Sequence, residues 1–264
     1  MKEISAVRQR FQDTVVIVTG AGSGIGQATV IAFASEGATV YGLDIDRQGL
    51  DQSARLTPAV TGRFVGVTAD VSKPDAVSDS VAHVLAATGQ IDVLVNNAGI
   101  NVPKRIVDLD IAEWNRVFDT NLKSVYLYCK AVWPHFASRR SGTIVNIASV
   151  MGQVGGADSP AYCASKAGII MLSRCLAKDG ARDGIRVNSV CPGYIETPIM
   201  ERAFQETPDP PKARREIESK MPLGRIGGAE EVAAGILFLS SKDASYISGT
   251  ELTIDGAVTA TQID

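Results

Sequence analysis

Histidine is scarce in this sequence. The two present, His83 and His135, are too few for a histidine-built metal centre and give a hydrolase triad little to work with. His83 falls in an amphipathic helical pattern and His135 follows a proline, so both read as structural. No Gly-x-Ser-x-Gly elbow is present, which removes the usual nucleophile motif of an α/β hydrolase. The four cysteines, Cys129, Cys163, Cys175 and Cys191, are scattered with no Cys-x-x-Cys pair. They suit buried or incidental thiols in a reducing cytosol, and no metal site is expected. Neither charge is in excess: 26 basic and 29 acidic residues leave a net −3. With no basic run, neither nucleic acid nor an anionic membrane surface is an expected partner. No stretch approaches the ~20 apolar residues of a membrane span. The start, Met1-Lys2-Glu3-Ile4-Ser5, lacks the apolar core of a signal peptide, so a cytoplasmic location is expected. Internal repeats, low-complexity tracts and linkers are missing too.

What remains is a 264-residue chain, 45% hydrophobic and 21% charged. This is the composition of a globular protein, long enough for one large core, and residues 1–264 are read as a single domain. The run Thr14-Val15-Val16-Ile17-Val18-Thr19 is apolar and β-branched, as in a strand buried on both faces of a parallel sheet. It enters Gly20-Ala21-Gly22-Ser23-Gly24-Ile25-Gly26, and a helical pattern follows from about Gly24 to Ser35. Strand, glycine turn and helix in this order form an anion site suited to a pyrophosphate. A second strand, Ala38 to Asp44, ends in an acid 18 residues after Gly26. A dinucleotide fold places there a carboxylate for the adenosine ribose, and that charge would repel the extra phosphate of NADP. Neither Ser23 nor Ile45 supplies an arginine to welcome that phosphate, so NAD is the expected cofactor.

The alternation continues. Strands are expected at Phe64–Ala69, Ile91–Val95, Gly142–Ala148, Ile185–Val190 and Thr250–Ile254. Helices are expected at Lys73–Thr88, Ile111–Ala137 with short breaks, Ala161–Gly180 and Glu230–Ser240. This predicts an α/β fold: a doubly wound parallel sheet of about seven strands with helices on both faces. Ligands then bind outside the carboxyl ends of the strands. Asp44, Asp70, Asn97, Ser149 and Pro192 all follow such ends.

One helix start carries candidate chemistry, Ser159-Pro160-Ala161-Tyr162-Cys163-Ala164-Ser165-Lys166. Ser159 is placed to cap the helix and Pro160 suits its first position. Tyr162 and Lys166 are four apart and share a face. A cation beside a phenol favours the phenolate and lowers its pKa, bringing an acid–base group toward the working pH.

Together these residues make the chain resemble a single-domain short-chain dehydrogenase/reductase of Rossmann type, from about residue 11 to residue 257. Thr19 to Gly26 matches the family's cofactor loop. Asn96-Asn97-Ala98-Gly99 matches the stretch that steadies the central strand, and Asn121 in Asn121-Leu122-Lys123-Ser124 matches its helix asparagine. Ser149, Tyr162 and Lys166 match its catalytic trio, and Pro192-Gly193 and Thr197 the segment that embraces the nicotinamide. Asp255-Gly256-Ala257 departs from the two glycines often found there. The resemblance implies catalysis by Asn121, Ser149, Tyr162 and Lys166. It implies a cofactor site built from Gly20, Ser23, Gly24, Ile25, Gly26, Asp44, Ile45, Asp70, Val71, Asn97, Ala98, Gly99, Tyr162, Lys166, Pro192, Gly193, Ile195 and Thr197. Tyr162 would move the proton, Lys166 would tune Tyr162 and hold the nicotinamide ribose, Ser149 would bind the substrate oxygen, and Asn121 would hold a relay water.

The expected activity is NAD-dependent interconversion of a secondary alcohol and its ketone or lactone. The alternatives are an NADPH-type carbonyl or 3-oxoacyl-thioester reductase and, in another class, a non-catalytic dinucleotide sensor. A small-molecule substrate would meet Ser149, Met151, Gln153, Tyr162 and Tyr194, with Asn101, Val102, Met200, Arg202 and Phe204 nearby. These mix polar and apolar walls, and a sugar, polyol or hydroxy acid is slightly favoured. Residues 195–225 are the least regular stretch, rich in proline and charge, and read as a mobile lid. The helix at Glu230–Ser240 is apolar around much of its circumference and is expected to be buried on more than one side. With the last strand it is the expected contact of a homotetramer.

Overall fold

The computed structural model describes residues 9–58 and 62–260. Met1–Ser5 lie outside them. Seven strands form one parallel sheet in the order β3-β2-β1-β4-β5-β6-β7. They are β1 (Val15–Thr19), β2 (Thr39–Asp44), β3 (Arg63–Thr68), β4 (Val93–Asn96), β5 (Gly142–Ile147), β6 (Ile185–Pro192) and β7 (Glu251–Ile254). The order reverses between β1 and β4, which opens a crevice at their carboxyl ends.

The helices are α1 (Gly24–Ser35), α2 (Arg47–Leu56), α3 (Pro74–Thr88), α4 (Ile111–Phe118), α5 (Ser124–Arg139), α6 (Pro160–Gly180), α7 (Pro198–Gln205), α8 (Pro210–Lys220) and α9 (Ala229–Ser240). They cover both sheet faces, giving two apolar layers. One layer joins Ile17, Leu94 and Ile144 to Val81, Tyr128 and Ile169. The other joins Val16, Val18 and Val95 to Phe33, Leu50 and Ile236. Every residue of β1, β4 and β5 is buried, which is why the apolar residues of these strands fall side by side (Val15–Val18, Val93–Val95, Ile144–Val145) rather than alternating with exposed polar ones.

Two expectations change. The stretch 195–225 is largely helical. Pro198 and Pro210 stand at the first positions of α7 and α8, and Thr197 and Asp209 cap them. A proline read as a breaker is here a helix start, because its missing N–H would be unpaired there in any case. The short break expected within 111–137 is a π-helical turn, Asp119–Lys123, between α4 and α5. Finally, α9 buries Val232, Ala233, Ile236, Leu237 and Leu239 within its own chain. Of its large apolar residues, Phe238 is left 37% exposed. Packing against α1 and the sheet absorbs the apolar circumference, so that circumference alone does not call for a second subunit.

Candidate active site

The glycine turn is built around its own close contacts. Gly20 has φ +66, and a Cβ on Gly26 would lie 1.9 Å from the Gly20 carbonyl oxygen. Only glycine lets α1 start this close to β1. Helix α1 begins with no side-chain cap and no acidic residue in its first turn. Asp or Thr side chains cap α2, α4, α7 and α8, while α3, α5 and α6, like α1, have no side-chain cap. The first amides of α1 are therefore open to an anion. Asp44 sits beneath the turn: its Oδ2 accepts the Gly22 N–H at 2.8 Å and its Oδ1 accepts the Asp46 N–H at 2.9 Å. Ile45 next to it is 70% exposed.

From β4, Asn97 spans the crevice. Its Nδ2 donates to the carbonyls of Thr19 and Gly20 at 2.9 and 3.1 Å. The Thr19 hydroxyl accepts the N–H groups of Asn97 and Ala98, a tie that sequence reading missed because Thr19 looks like one more β-branched strand residue. Asp70 accepts from the Ser72 N–H and hydroxyl at its Oδ1, and Val71 beside it is buried. On the far side, the Gly193 N–H donates to Ile254 and Ile195 is buried. Thr197 packs so near that a Cβ on Gly24 would lie 3.2 Å from its methyl. The residues present fit a dinucleotide: uncapped amides and tight glycines for a diphosphate, and a fixed carboxylate at the end of β2 for a ribose.

The proposed catalytic residues converge at the carboxyl end of β5. Ser149 follows β5, is 6% exposed, and accepts the Met151 N–H at 3.1 Å. Lys166 is 3% exposed. Its Nζ donates to the Ile147 carbonyl at 2.7 Å and lies 5.5 Å from the centroid of the Tyr162 ring. Burial draws the Lys166 ammonium down to a pKa of about 8. Asn121, fully buried in the π-helical turn, clamps Ile100. Its Oδ1 accepts the Ile100 N–H at 2.8 Å and its Nδ2 donates to the Ile100 carbonyl at 2.9 Å. The same Nδ2 donates to Ser165 at 3.0 Å, another partner that sequence reading missed. Its one signal is a small polar residue one place before Lys166. A Cβ on Gly99 would lie 3.4 Å from Lys166 Nζ and 3.5 Å from Asn121 Oδ1, so both groups meet at this glycine.

Some expectations are corrected here. Burial raises the Tyr162 phenol above its ordinary value, with a Ser149 hydrogen bond pulling the other way. The Lys166 ammonium faces the ring and the Ile147 carbonyl, and the expected lowering is outweighed by desolvation. Ser159 makes no cap to α6; its hydroxyl instead accepts from Asn101 Nδ2 at 3.2 Å. Gln153 is exposed, and its Nε2 donates to Glu251 and Thr253 of β7. Tyr194 is 41% exposed. Among the described residues, no group of three or more His, Cys, Asp or Glu is placed to hold a metal ion.

A family model described as enoyl-(acyl carrier protein) reductase matches residues 20–259. The chain belongs to the short-chain dehydrogenase/reductase family. This short-chain dehydrogenase/reductase is 41% identical over 249 residues to a 3-oxoacyl-acyl-carrier-protein reductase of Thermotoga maritima, covering 94% of this chain and 99% of that one. It is 40% identical over 253 residues to cis-4-hydroxycyclohexanecarboxylate dehydrogenase of Sinomonas cyclohexanicum, covering 96% and 99%. Its fold matches the crystal structure of levodione reductase with a TM-score of 0.93 at 36% identity, covering 96% of this chain and all of that one. The short-chain dehydrogenase/reductase is thus an oxidoreductase of CH–OH or carbonyl groups that uses a nicotinamide dinucleotide.

Proposed function

We propose that the chain is an NAD-dependent dehydrogenase that interconverts a secondary alcohol and its ketone. The observation that carries this is the Asp44 carboxylate, fixed under the glycine turn by the Gly22 N–H at 2.8 Å. Held there it accepts ribose hydroxyls and repels an added phosphate. Asp46 adds a second acid at the same strand end, and Arg47 is engaged with Asp51. When bound, the dinucleotide accepts or gives the hydride. The remaining chemistry belongs to side chains. Tyr162 takes the proton from the substrate hydroxyl in oxidation and returns it in reduction. The Ser149 hydroxyl donates to the substrate oxygen and steadies the charge that develops on it. Lys166 supplies a fixed positive charge behind the Tyr162 ring and reaches the nicotinamide ribose. Asn121 holds the β4–α4 loop against α6, and the free lone pair of its Oδ1 suits a relay water.

Residues 195–225 act as the lid over the substrate, with Met151 and Tyr194 on the pocket wall. The substrate is a small hydroxylated molecule: a sugar, polyol or hydroxy acid. The working form is a homotetramer. The described residues include no helix long and apolar enough to cross a membrane, and the four free thiols suit a reducing cytoplasm. The likeness to a 3-oxoacyl-acyl-carrier-protein reductase favours a second reading, reduction of a 3-oxoacyl thioester.

The test follows reduced-cofactor absorbance with NAD or NADP against aldoses, polyols, hydroxy acids, apolar secondary alcohols and a 3-oxoacyl thioester. NAD is expected to give the lower KM. Tyr162→Phe is expected to lower kcat by at least about a hundredfold, the usual scale of acid–base catalysis, with NADH affinity unchanged. An NADP preference would sink the cofactor assignment, and substantial turnover by the Phe variant would sink the role of Tyr162.

A further inference from the structure

Beyond the glycine turn lies a cleft of about 490 Å³, with Gly22, Ser23 and Gly24 on one wall and Glu196, Glu201 and Arg214 on the other. The second wall carries two carboxylates, an unwelcoming lining for a diphosphate. Arg214 is the one cation among the described residues lining it. Its guanidinium grips Glu196 through two bonds of 2.6 and 3.1 Å and lies 3.9 Å from Glu201. It also lies 3.6 Å from Glu218 on its own helix and stacks over the Phe204 ring at 5.3 Å. The fork geometry and the aromatic platform suit arginine and not lysine. Glu196 and Glu201 belong to the root of the lid and to α7, whereas Arg214 rides on α8. The charge of the cleft therefore depends on whether α8 is docked.

We propose that Arg214 masks Glu196 and Glu201, so that dinucleotide affinity is coupled to the docking of α8. With α8 in place Arg214 cancels one of the two carboxylate charges on the cleft wall, and the open amides of α1 govern the diphosphate. With α8 lifted, two bare carboxylates face it across the cleft, and their repulsion is screened over about 8–10 Å at physiological salt. Lid opening then both uncovers the dinucleotide and repels it, which assists release. The inference rests on the reading that the Gly20–Gly26 turn holds the diphosphate.

The test is NADH titration by fluorescence on the intact protein at low and high salt. Arg214→Ala is expected to weaken NADH about five- to tenfold at low salt, with the difference shrinking at high salt. Glu196→Gln breaks the same ion pair but removes a repelling charge, so NADH should bind equally well or more tightly. The triple variant Arg214→Ala/Glu196→Gln/Glu201→Gln should return to within about twofold of the unmodified protein. If Glu196→Gln weakens NADH as much as Arg214→Ala, and the triple variant is not restored, Arg214 is an anchor only and the proposal is overturned. Wild-type affinity in Arg214→Ala also overturns it. Amide exchange across Pro210–Lys220 should slow on NADH addition, and unchanged exchange removes the coupling to α8. Failure of the unmodified protein to bind NADH would overturn the glycine-turn reading itself, a result distinct from all of these.

Discussion

Lys166 carries an ammonium where water scarcely reaches it, with the Ile147 carbonyl as its hydrogen-bond acceptor. Its pKa of about 8 against an ordinary 10.5 states the cost. Between those values the unfolded chain binds the proton and the folded one does not, so stability rises with pH across that window. Below it the charge opposes folding by up to about 3 kcal/mol, partly offset by the bond to Ile147. Lys166→Met is therefore expected to be more stable than the parent at pH 7 by about 1–2 kcal/mol, while losing turnover. The gap should narrow steadily as pH rises from about 8 through 10.5, the window in which the folded lysine has lost its proton and the unfolded one still holds it. Urea denaturation at pH 7 and across that window checks this, and a variant less stable at pH 7 would contradict it. The four-residue spacing made the shared face of Tyr162 and Lys166 legible in the sequence. The Ile147 carbonyl was not legible, because a backbone acceptor has no residue signature. Nor was the rise in the Tyr162 pKa, which depends on burial set by other elements.

At the scale of elements, the π-helical turn between α4 and α5 is what aims Asn121 inward. The extra residue in that turn rotates the helix face, and the side chain closes on both backbone groups of Ile100. Asn121→Ala would leave the half-buried N–H and carbonyl of Ile100 without their side-chain partner. A loss of about 2–4 kcal/mol is expected, with a fall in kcat as the Gly99 corner loosens against Lys166. Thermal denaturation and steady-state rates measure the two, and an unaltered Tm would refute the clamp. The strands were readable because burial on both faces writes unbroken Val and Ile runs. The π-turn was invisible for the opposite reason: Asp119–Lys123 carries no unusual residue. Around α7 and α8 the signals were present but ambiguous, since proline opens a helix as readily as it stops one.

At the scale of the molecule, the chain buries most of α9 against α1 and the sheet, and a shallow apolar groove remains between α5 and α6. Tyr126, Trp133, Leu172 and Leu176 line it, and Met171 on the same helix as the two leucines is 54% exposed. The proposed homotetramer predicts a sedimentation mass near four times 27.8 kDa at micromolar protein, and a monomer there would remove it. Sequence pattern pointed to α9 as the contact because periodicity reports how apolar a helix is, not which neighbour covers it. The Asp44 carboxylate carries a consequence for descent. One of its oxygens shapes the glycine turn, and under the proposed reading the carboxylate also faces the cofactor ribose, so a single change there would alter folding and cofactor choice together. A lineage of this protein drifting toward the phosphorylated cofactor would first have to acquire another partner for the Gly22 N–H. Under that reading, cofactor preference should be among its slowest traits to evolve.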